Sequence, residues 1–169
     1  MLFQNRRKWW GSDGERDAPH EGLDFLLYKD GQGRVRRLGQ TTRIPSLYEG
    51  TVTAIINDFL GKSIIVAHSP DRKGVLVSIY GHTFPGVDIR PGKTLESDSV
   101  LGVLADTSGS KASVWPHLHL SLGWVSNLEA IRNLNWGNMH DPDLIELVDP
   151  LSVLDGAWQI LPAEPGETL

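Results

Sequence analysis

The sequence has 169 residues, of which 40% are hydrophobic and 22% charged, and this length and composition suit one globular domain with its own core. The formal net charge of -5 makes recognition of DNA or RNA through phosphates a poor expectation, so we predict no nucleic-acid partner. Cysteine is absent, which excludes disulfides and thiolate metal sites and leaves His, Asp and Glu as possible ligands of a transition metal.

The N-terminal residues 1–17 are polar, rich in Gly and Asp and without periodicity, and are predicted to form an arm. The basic stretch at residues 6–8 could touch an anionic surface, but no amphipathic helix follows it, so a solvated tail is the better interpretation. Trp10 leads into the polar residues 11–14, and no signal peptide is predicted. No apolar run approaches membrane-spanning length, so no integral membrane segment is expected.

Short strand-like runs bounded by Gly, Pro, Asn, Asp or Ser recur after the arm. The run at residues 23–28 is followed by a turn cluster at 29–33 and a possible returning strand at 34–38, which is a hairpin pattern. The later runs are Thr51–Ile56, Ser63–His68, Val75–Tyr80, Val100–Leu104, Val114–Leu122 and Leu144–Val148. Many short strands and almost no helix predict an all-β fold, either an antiparallel sandwich or a barrel-like sheet.

One short helix is predicted from Asn127 to Leu134. Ser126 is its N-cap candidate, and Glu129 at the third helical position would complete a capping box. Residues 156–169 show no clear pattern and are predicted to form a C-terminal tail. The expected organisation is therefore an arm at 1–17, one domain at 18–155 and the tail.

The first candidate for chemistry is the run from His117 to His119, inside a predicted strand. On a strand His117, His119 and Ser121 share one face, while the intervening leucines face a core. Burying two imidazoles without partners costs on the order of a few kcal/mol, so a cleft or a metal would have to satisfy them. Taken alone, the segment fits a solvated strand face equally well.

The second candidate is the pair His20 and Asp24, which offer a nitrogen and a carboxylate oxygen, both ordinary zinc ligands. Gly22 between them would let the backbone bend so that the two side chains converge. Alone the pair is weak, since a His in a turn and an Asp at a strand start are common. The start of a His-Glu-x-x-His helix is a rival interpretation, but Gly22 and the strand-like run disfavour it and Glu21 as a catalytic base.

Together the two motifs could supply two His and one Asp as zinc ligands and leave the fourth tetrahedral position for water. The sequence here resembles the zinc peptidases of the lysostaphin and LytM type, the M23 peptidases. The likeness covers roughly residues 18–155, in the order found in the family. It is carried by His20–Asp24, Gly61–His68, Tyr80–His82, Pro91–Lys93, Val100–Gly102, Trp115–Leu120 and Val148–Pro150.

The resemblance implies that His20, Asp24 and His119 hold one Zn²⁺ per chain and that His82 and His117 are catalytic. It also implies a β-sheet groove with loops around the metal. The implied function is a zinc-dependent endopeptidase that acts on cross-links or stem peptides of bacterial peptidoglycan in the cell envelope, periplasmic or extracellular. In that chemistry the metal-bound water has a pKa of about 7, and the two histidines share the proton transfers in an order that the sequence leaves open.

Two features depart from the family pattern. Thr83 follows His82 where the family often has Leu. Residues 123–146 form a longer excursion that could cover or lengthen the groove. Trp124 and Trp136 within it could line the groove, but packing in the core or anchoring the loop is the favoured interpretation.

The two remaining histidines are not assigned to the site. His68 occupies a position where the family often has His, and it is interpreted as structural. His140 lies in an Asn-Met-His-Asp-Pro segment and is interpreted as an exposed loop residue rather than a fourth ligand.

Two other functions fit part of the pattern. A non-enzymatic LytM-like module that activates cell-wall amidases would keep the fold without the ligands, yet all five expected residues are present here. A phosphoryl carrier of sugar transport has a related fold with paired histidines, but it needs neither the Asp nor the His-x-His strand. Zinc analysis with a hydrolysis assay would identify the first, and phosphate incorporation into a histidine the second.

Overall fold

The computed structural model describes residues 1–11, 14–110, 114–126 and 128–154, and it confirms the all-β prediction. Within these residues there are eleven strands, one α-helix and one 3-10 turn. The strands are β1 (Leu23–Phe25), β2 (Leu27–Lys29), β3 (Val35–Arg37), β4 (Arg43–Pro45), β5 (Gly50–Asn57), β6 (Lys62–Ala67), β7 (Val75–Pro85), β8 (Thr94–Leu95), β9 (Val100–Leu104), β10 (Leu118–Val125) and β11 (Glu146–Val148). The helix α1 is Leu128–Asn133, and the 3-10 turn is Pro150–Ser152.

Nine of these strands form one antiparallel sheet, whose main path is β1-β10-β7-β6-β5-β8. Strand β11 pairs with the second half of β10, and β9 pairs with both β4 and the last residues of β7. Strands β2 and β3 form a separate two-stranded hairpin, as the turn cluster at 29–33 predicts. The predicted run at 23–28 is therefore divided between the large sheet and this hairpin.

Strand β10 lies between β1 and β7 and joins segments that are distant in the sequence. Its register places His119 opposite Asp24 on β1 and opposite Gly81 on β7. The predicted alternation along β10 also holds, since Leu118 and Leu120 pack in a hydrophobic cluster while His119 turns to the other face. The pairing therefore brings residues from three distant segments to one spot on the sheet.

Both faces of the sheet are buried. On one face a cluster includes Tyr80, Leu101 and Leu120, and on the other Ile79 and its neighbours pack against the segment 128–145. That segment contributes four buried side chains, Ile131, Leu134, Met139 and Ile145. The long excursion after β10 therefore covers a sheet face instead of extending into solvent.

Several boundaries differ from the prediction. Strand β7 continues to Pro85, because its pairing with β10 ends at Gly81 and its residues from Thr83 onward pair with β9. Strand β10 starts at Leu118 rather than at residue 114, and Pro116 ahead of it has no N–H to donate to a ladder. The expected helix start at residue 127 and the tail at 156–169 lie outside the described residues. No helix in the described part of the chain is long and apolar enough to cross a membrane.

Candidate metal centre

Three side-chain atoms from distant segments meet at one point. The Nε2 atom of His20 and the Nδ1 atom of His119 each lie 3.0 Å from Oδ1 of Asp24. The same two nitrogens lie 2.9 Å from each other. All three residues are buried. The structure thus brings together the three residues that the family resemblance assigns to the metal, and we call this arrangement the donor triangle.

Gly22 contributes to the donor triangle through close packing. A Cβ atom at this position would overlap the backbone carbonyl of Leu120 on β10. The absence of a side chain therefore lets the 20–24 segment lie directly against β10, with Asp24 opposite His119. Gly22 was expected to provide a bend, whereas its main role is this approach of two backbones.

The outer nitrogen of each imidazole in the donor triangle has its own hydrogen-bond partner. Nδ1 of His20 lies 3.1 Å from the Leu2 carbonyl oxygen, to which it can only donate. Nε2 of His119 lies 2.9 Å from the Ser121 hydroxyl. When Nδ1 of His20 carries the proton, the lone pair of its Nε2 faces the centre. When Nε2 of His119 donates its proton to Ser121, the lone pair of His119 Nδ1 likewise faces the centre. Such outer contacts are typical of histidines that bind metals.

The carboxylate of Asp24 is held from both sides. Its Oδ1 atom faces the two histidines, and its Oδ2 atom accepts a 2.7 Å hydrogen bond from the indole N–H of Trp9. Burial alone would raise the pKa of Asp24, but in the tautomers in which the rings of His119 and His20 donate to Oδ1 these hydrogen bonds outweigh burial and hold the pKa well below its usual range. Asp24 is therefore charged at neutral pH, and its Oδ1 atom is the oxygen that belongs to the donor triangle.

The donor triangle fits a bound Zn²⁺ ion. Three lone pairs that face each other at about 3 Å repel unless a cation lies between them. Two imidazole nitrogens and one carboxylate oxygen are an ordinary donor set of catalytic zinc sites, and zinc ligands at 2.0–2.1 Å from the metal are about 3.3 Å apart in a tetrahedron. The observed separations of 2.9–3.0 Å are close to that value.

Glu21 offers a second possible combination, since ligand atoms of His20, Glu21 and His119 all lie within 4.8 Å of one another. The carboxylate of Glu21 is already occupied, however, with Arg16 at 2.7 Å and His140 at 2.9 Å. Asp24 directly contacts both histidines of the donor triangle and is the better third donor. His140 contacts Glu21 at the edge of the site and lies outside the donor triangle.

His82 and His117 flank the donor triangle. Nδ1 of His117 donates to the Trp115 carbonyl at 2.8 Å, and its Nε2 lies 3.9 Å from Oδ1 of Asp24. The rings of His82 and His117 are 4.7 Å apart between centroids. Burial lowers the pKa of His117 to about 4, although Asp24 acts in the opposite direction. His117 is therefore neutral at pH 7, with an unprotonated nitrogen facing the centre.

Asp58 is a site residue that the sequence analysis missed. Its Oδ1 atom accepts the backbone N–H groups of Leu60 and Gly61, and its Oδ2 atom accepts the Ser63 hydroxyl and the backbone N–H of His82. The available signal was an Asp followed by Gly three residues later between two strands, which is an ordinary turn pattern. Only the fold places this turn beneath His82.

Aromatic side chains wall the site. The Trp136 ring stacks on His82 with 6.5 Å between centroids and meets His119 edge-on at 5.0 Å, and its indole N–H donates to Ser63. It also packs against the core beneath the 128–145 segment, so it combines the two roles weighed for it. The cavity has a volume of about 200 Å³. Its other lining side chains include Trp10, Phe59, Val114, Arg16 and Glu21.

Trp124 does not line this cavity. It belongs to a second, more open cavity of about 470 Å³, which it shares with Tyr48 and His68. Of the two tryptophans weighed as possible groove residues, only Trp136 lines the cavity that holds the histidines, and Trp124 lies in a different part of the molecule.

The N-terminal segment forms part of the site. Gln4 donates its backbone N–H to His20, and the backbone N–H of His20 donates to Asn5. Trp9 and Trp10 follow, with Trp9 4.9 Å from His117 between ring centroids and Trp10 on the cavity wall. The expectation of a solvated tail fits the exposed Arg6 and Arg7, but Lys8 is half-buried and the aromatic residues are turned inward, where they cover the buried polar centre.

No protein-family model and no curated protein matches the sequence. Among solved structures the fold is similar to lysostaphin, at 16% identity and a TM-score of 0.53, and to Csd3 of Helicobacter pylori, at 18% identity and a TM-score of 0.51. Each likeness covers 96% of this chain, but only 57% of lysostaphin and 36% of Csd3. The protein has an M23 peptidase-like fold, as the sequence motifs suggest.

Proposed function

We propose that the protein is a zinc-dependent endopeptidase in which His20, Asp24 and His119 hold one Zn²⁺ ion and His82 and His117 assist the hydrolysis. The observation that carries this proposal is the donor triangle, with three atoms at 2.9–3.0 Å and an unprotonated nitrogen of His117 next to them. Cross-links or stem peptides of bacterial peptidoglycan are the proposed substrates, because the motifs resemble a family that acts on them. This substrate would place the protein in the cell envelope, in the periplasm or outside the cell.

The chain's own histidines supply the proton transfers. Zn²⁺, when bound, polarises the scissile carbonyl and makes hydroxide available near neutral pH. His117 can accept a proton at Nε2, since it is neutral at pH 7 and Nδ1 is committed to the Trp115 carbonyl. One of His82 and His117 takes the proton of the attacking water, and one or both stabilise the negative charge on the substrate oxygen and protonate the leaving amine.

The walls of the cavity support this chemistry by limiting water. His82, His117 and His119 are each less than 5% exposed, although they line an open cavity. Hydrogen bonds and charges act more strongly where water is excluded. Trp10, Phe59 and Trp136 provide apolar surface around the polar centre, so a peptide bond placed there would be partly desolvated.

The test combines metal analysis with product analysis. Purified protein is stripped with a chelator, reloaded with zinc and assayed for zinc per chain, and then incubated with defined muropeptides whose products are identified by mass spectrometry. We expect one zinc per chain and cleavage of one type of peptide bond. A folded protein that takes up no zinc at neutral pH would reject the proposal. Zinc uptake without hydrolysis, but with stimulation of a cell-wall amidase, would favour the activator module.

A further inference from the structure

The carboxylate of Asp58 is buried beneath the site at the tip of the β5–β6 hairpin, with a side-chain exposure of 0%. It accepts four hydrogen bonds of 2.7–2.9 Å from the backbone of Leu60, Gly61 and His82 and from the Ser63 hydroxyl. Burial would raise the pKa of Asp58, but the contacts with His82 and Ser63 outweigh it and lower the pKa. A charged carboxylate that accepts four hydrogen bonds is fixed in position and can fix the backbone N–H of His82 in turn.

The backbone of His82 has a left-handed conformation, with φ at 61°. This conformation is costly for a residue with a side chain and persists where surrounding contacts hold it. Here the 2.9 Å bond from the His82 N–H to Asp58 is such a contact. The strand β7 also changes partner at this residue, from β10 at Gly81 to β9 at Thr83.

The left-handed turn decides where the His82 imidazole points. In a regular strand His82 would share a face with Tyr80, which packs in the cluster on the opposite side of the sheet. Instead the His82 ring lies against Trp136 and His119, on the same side as Gly81. The turn held by Asp58 therefore brings His82 into the site.

Asp58 also lies against the imidazole of His82. Its Oδ1 atom is 3.2 Å from Nδ1 of His82, at an angle outside the range of a hydrogen bond. Nδ1 is buried and has no other hydrogen-bond partner in the described part of the chain. With its proton on Nδ1, the His82 ring would direct that N–H toward the nearby carboxylate, and Nε2 would be left free for the substrate.

We propose that Asp58 is the positioning residue of His82, which fixes the backbone turn that carries this histidine into the site and holds its imidazole with the proton on Nδ1. The proposal rests on the proposed function, in which His82 is catalytic. It adds to the site a carboxylate that touches neither the donor triangle nor the substrate and acts through His82 alone.

The kinetic test uses Asp58→Asn, which keeps the size of the side chain but removes the charge. We expect kcat to fall about tenfold to a hundredfold with KM and zinc content unchanged, because misplacement of a catalytic group acts on the chemical step. In a His82→Ala background the same substitution should have no further effect, since the two residues act as a unit. Asp30→Asn is the matched control, because Asp30 accepts the backbone N–H groups of Gln32 and Arg34 in the β2–β3 turn, away from the site.

Two kinetic results would overturn the proposal. One is a kcat that is unchanged per folded, zinc-loaded molecule, with only the melting temperature lowered, since this is the behaviour of a turn residue. The other is a full additional loss of rate in the His82→Ala background. Asp30→Asn should lower stability at most and leave kcat at the wild-type value.

A second measurement needs no activity, and its decisive part uses the wild type alone, so it does not depend on the folding of a variant. Long-range ¹H–¹⁵N NMR spectra of the wild-type histidine rings report which nitrogen carries the proton. We expect His82 to carry it on Nδ1 and to lose this preference in Asp58→Asn. A wild-type His82 protonated on Nε2 alone would reject the inference. If the wild type instead shows the Nδ1–H form but cleaves no muropeptide, the proposed function fails and the positioning by Asp58 stands.

Discussion

Two buried histidines, His119 on β10 and His68 directly after β6, each contact a serine hydroxyl and yet have different surroundings. Nε2 of His119 lies 2.9 Å from Ser121, and Nε2 of His68 lies 2.8 Å from Ser78. The second nitrogen of His68 bonds the backbone carbonyl of Glu49 at 2.8 Å. The second nitrogen of His119 meets a carboxylate and another imidazole in the donor triangle. The two histidines therefore differ in the group that faces the second nitrogen, which is a carbonyl for His68 and a carboxylate with an imidazole for His119.

This difference teaches how to separate a structural histidine from a candidate ligand. Burial lowers the pKa of both His68 and His119, so both are neutral imidazoles at pH 7. His68 has both nitrogens engaged by neutral groups, which satisfies a buried imidazole completely. His119 instead directs a lone pair at two other acceptors, an arrangement that is stable with a cation bound. His119→Ala and His68→Gln test this distinction directly, and His82→Ala and Trp9→Phe test the surroundings of the donor triangle.

The largest effect is expected for His119→Ala. Removing one corner of the donor triangle should abolish stoichiometric zinc binding and hydrolysis together, because two protein ligands rarely retain a catalytic zinc. Zinc per chain and the rate of muropeptide cleavage are measured on the same preparation. A variant that still bound one zinc with wild-type affinity would show that the metal lies elsewhere.

The next effect is expected for His82→Ala. This variant should retain one zinc per chain, since His82 lies outside the donor triangle, and should lose on the order of 10²- to 10⁴-fold in rate with the loss of proton transfer. The same two assays apply. Loss of the metal from purified His82→Ala would show that the role assigned to this residue is wrong.

A smaller effect is expected for Trp9→Phe, which keeps an aromatic ring but removes the hydrogen bond to Oδ2 of Asp24. Loss of such an outer contact should weaken zinc binding by about tenfold. The dissociation constant is measured by competition with a chromophoric chelator. Trp10→Phe is the control from the same segment and should bind zinc like the wild type. Equal affinities for wild type and Trp9→Phe would contradict the role of the indole N–H.

The smallest effect on activity is expected for His68→Gln, which should keep zinc and kcat while unfolding becomes easier by about 1–3 kcal/mol. The pH dependence follows from the lowered pKa of His68, which burial causes. In the unfolded chain His68 binds a proton with a pKa near 6.5, whereas in the folded protein it does so only at lower pH. The contribution of His68 to the free energy of unfolding is therefore fully present above pH 6.5 and is lost as the pH falls below that value. Denaturant unfolding is measured at pH 7.5 and at pH 5.5. Between these two pH values the free energy of unfolding should fall less for His68→Gln than for the wild type. A loss of zinc would remove the distinction between the two histidines.

The sequence alone predicted much of the fold, because strand alternation and turn residues are local properties. The hairpin around residues 29–33, the strands at 51–56 and 63–68 and the faces of β10 follow from the periodicity of side chains. The lengths of β7 and β10 did not follow from it. Their ends depend on which strand lies alongside, and a change of partner at residues 81–83 leaves no local pattern.

For the site, sequence motifs predicted His20, Asp24, His82, His117 and His119, since the order and spacing of these residues resemble one family. Asp58 and Trp9 could not be named in that way. Each lies in a segment with an ordinary local interpretation, a turn and a polar arm, and each acquires its contact through packing. Asp58 meets His82 across 24 residues, and Trp9 meets Asp24 across 15.

The all-β class and the donor types available for a metal can be inferred from the residues alone, because composition and alternation need no partner to be recognised. Only the tertiary structure decided which oxygen of Asp24 faces the histidines, which nitrogen of each imidazole is free, and how the 128–145 segment and the N-terminal aromatic residues enclose them. The physical reason is that hydrogen bonds and burial are set by atoms that meet across the fold, and no spacing along the chain records them.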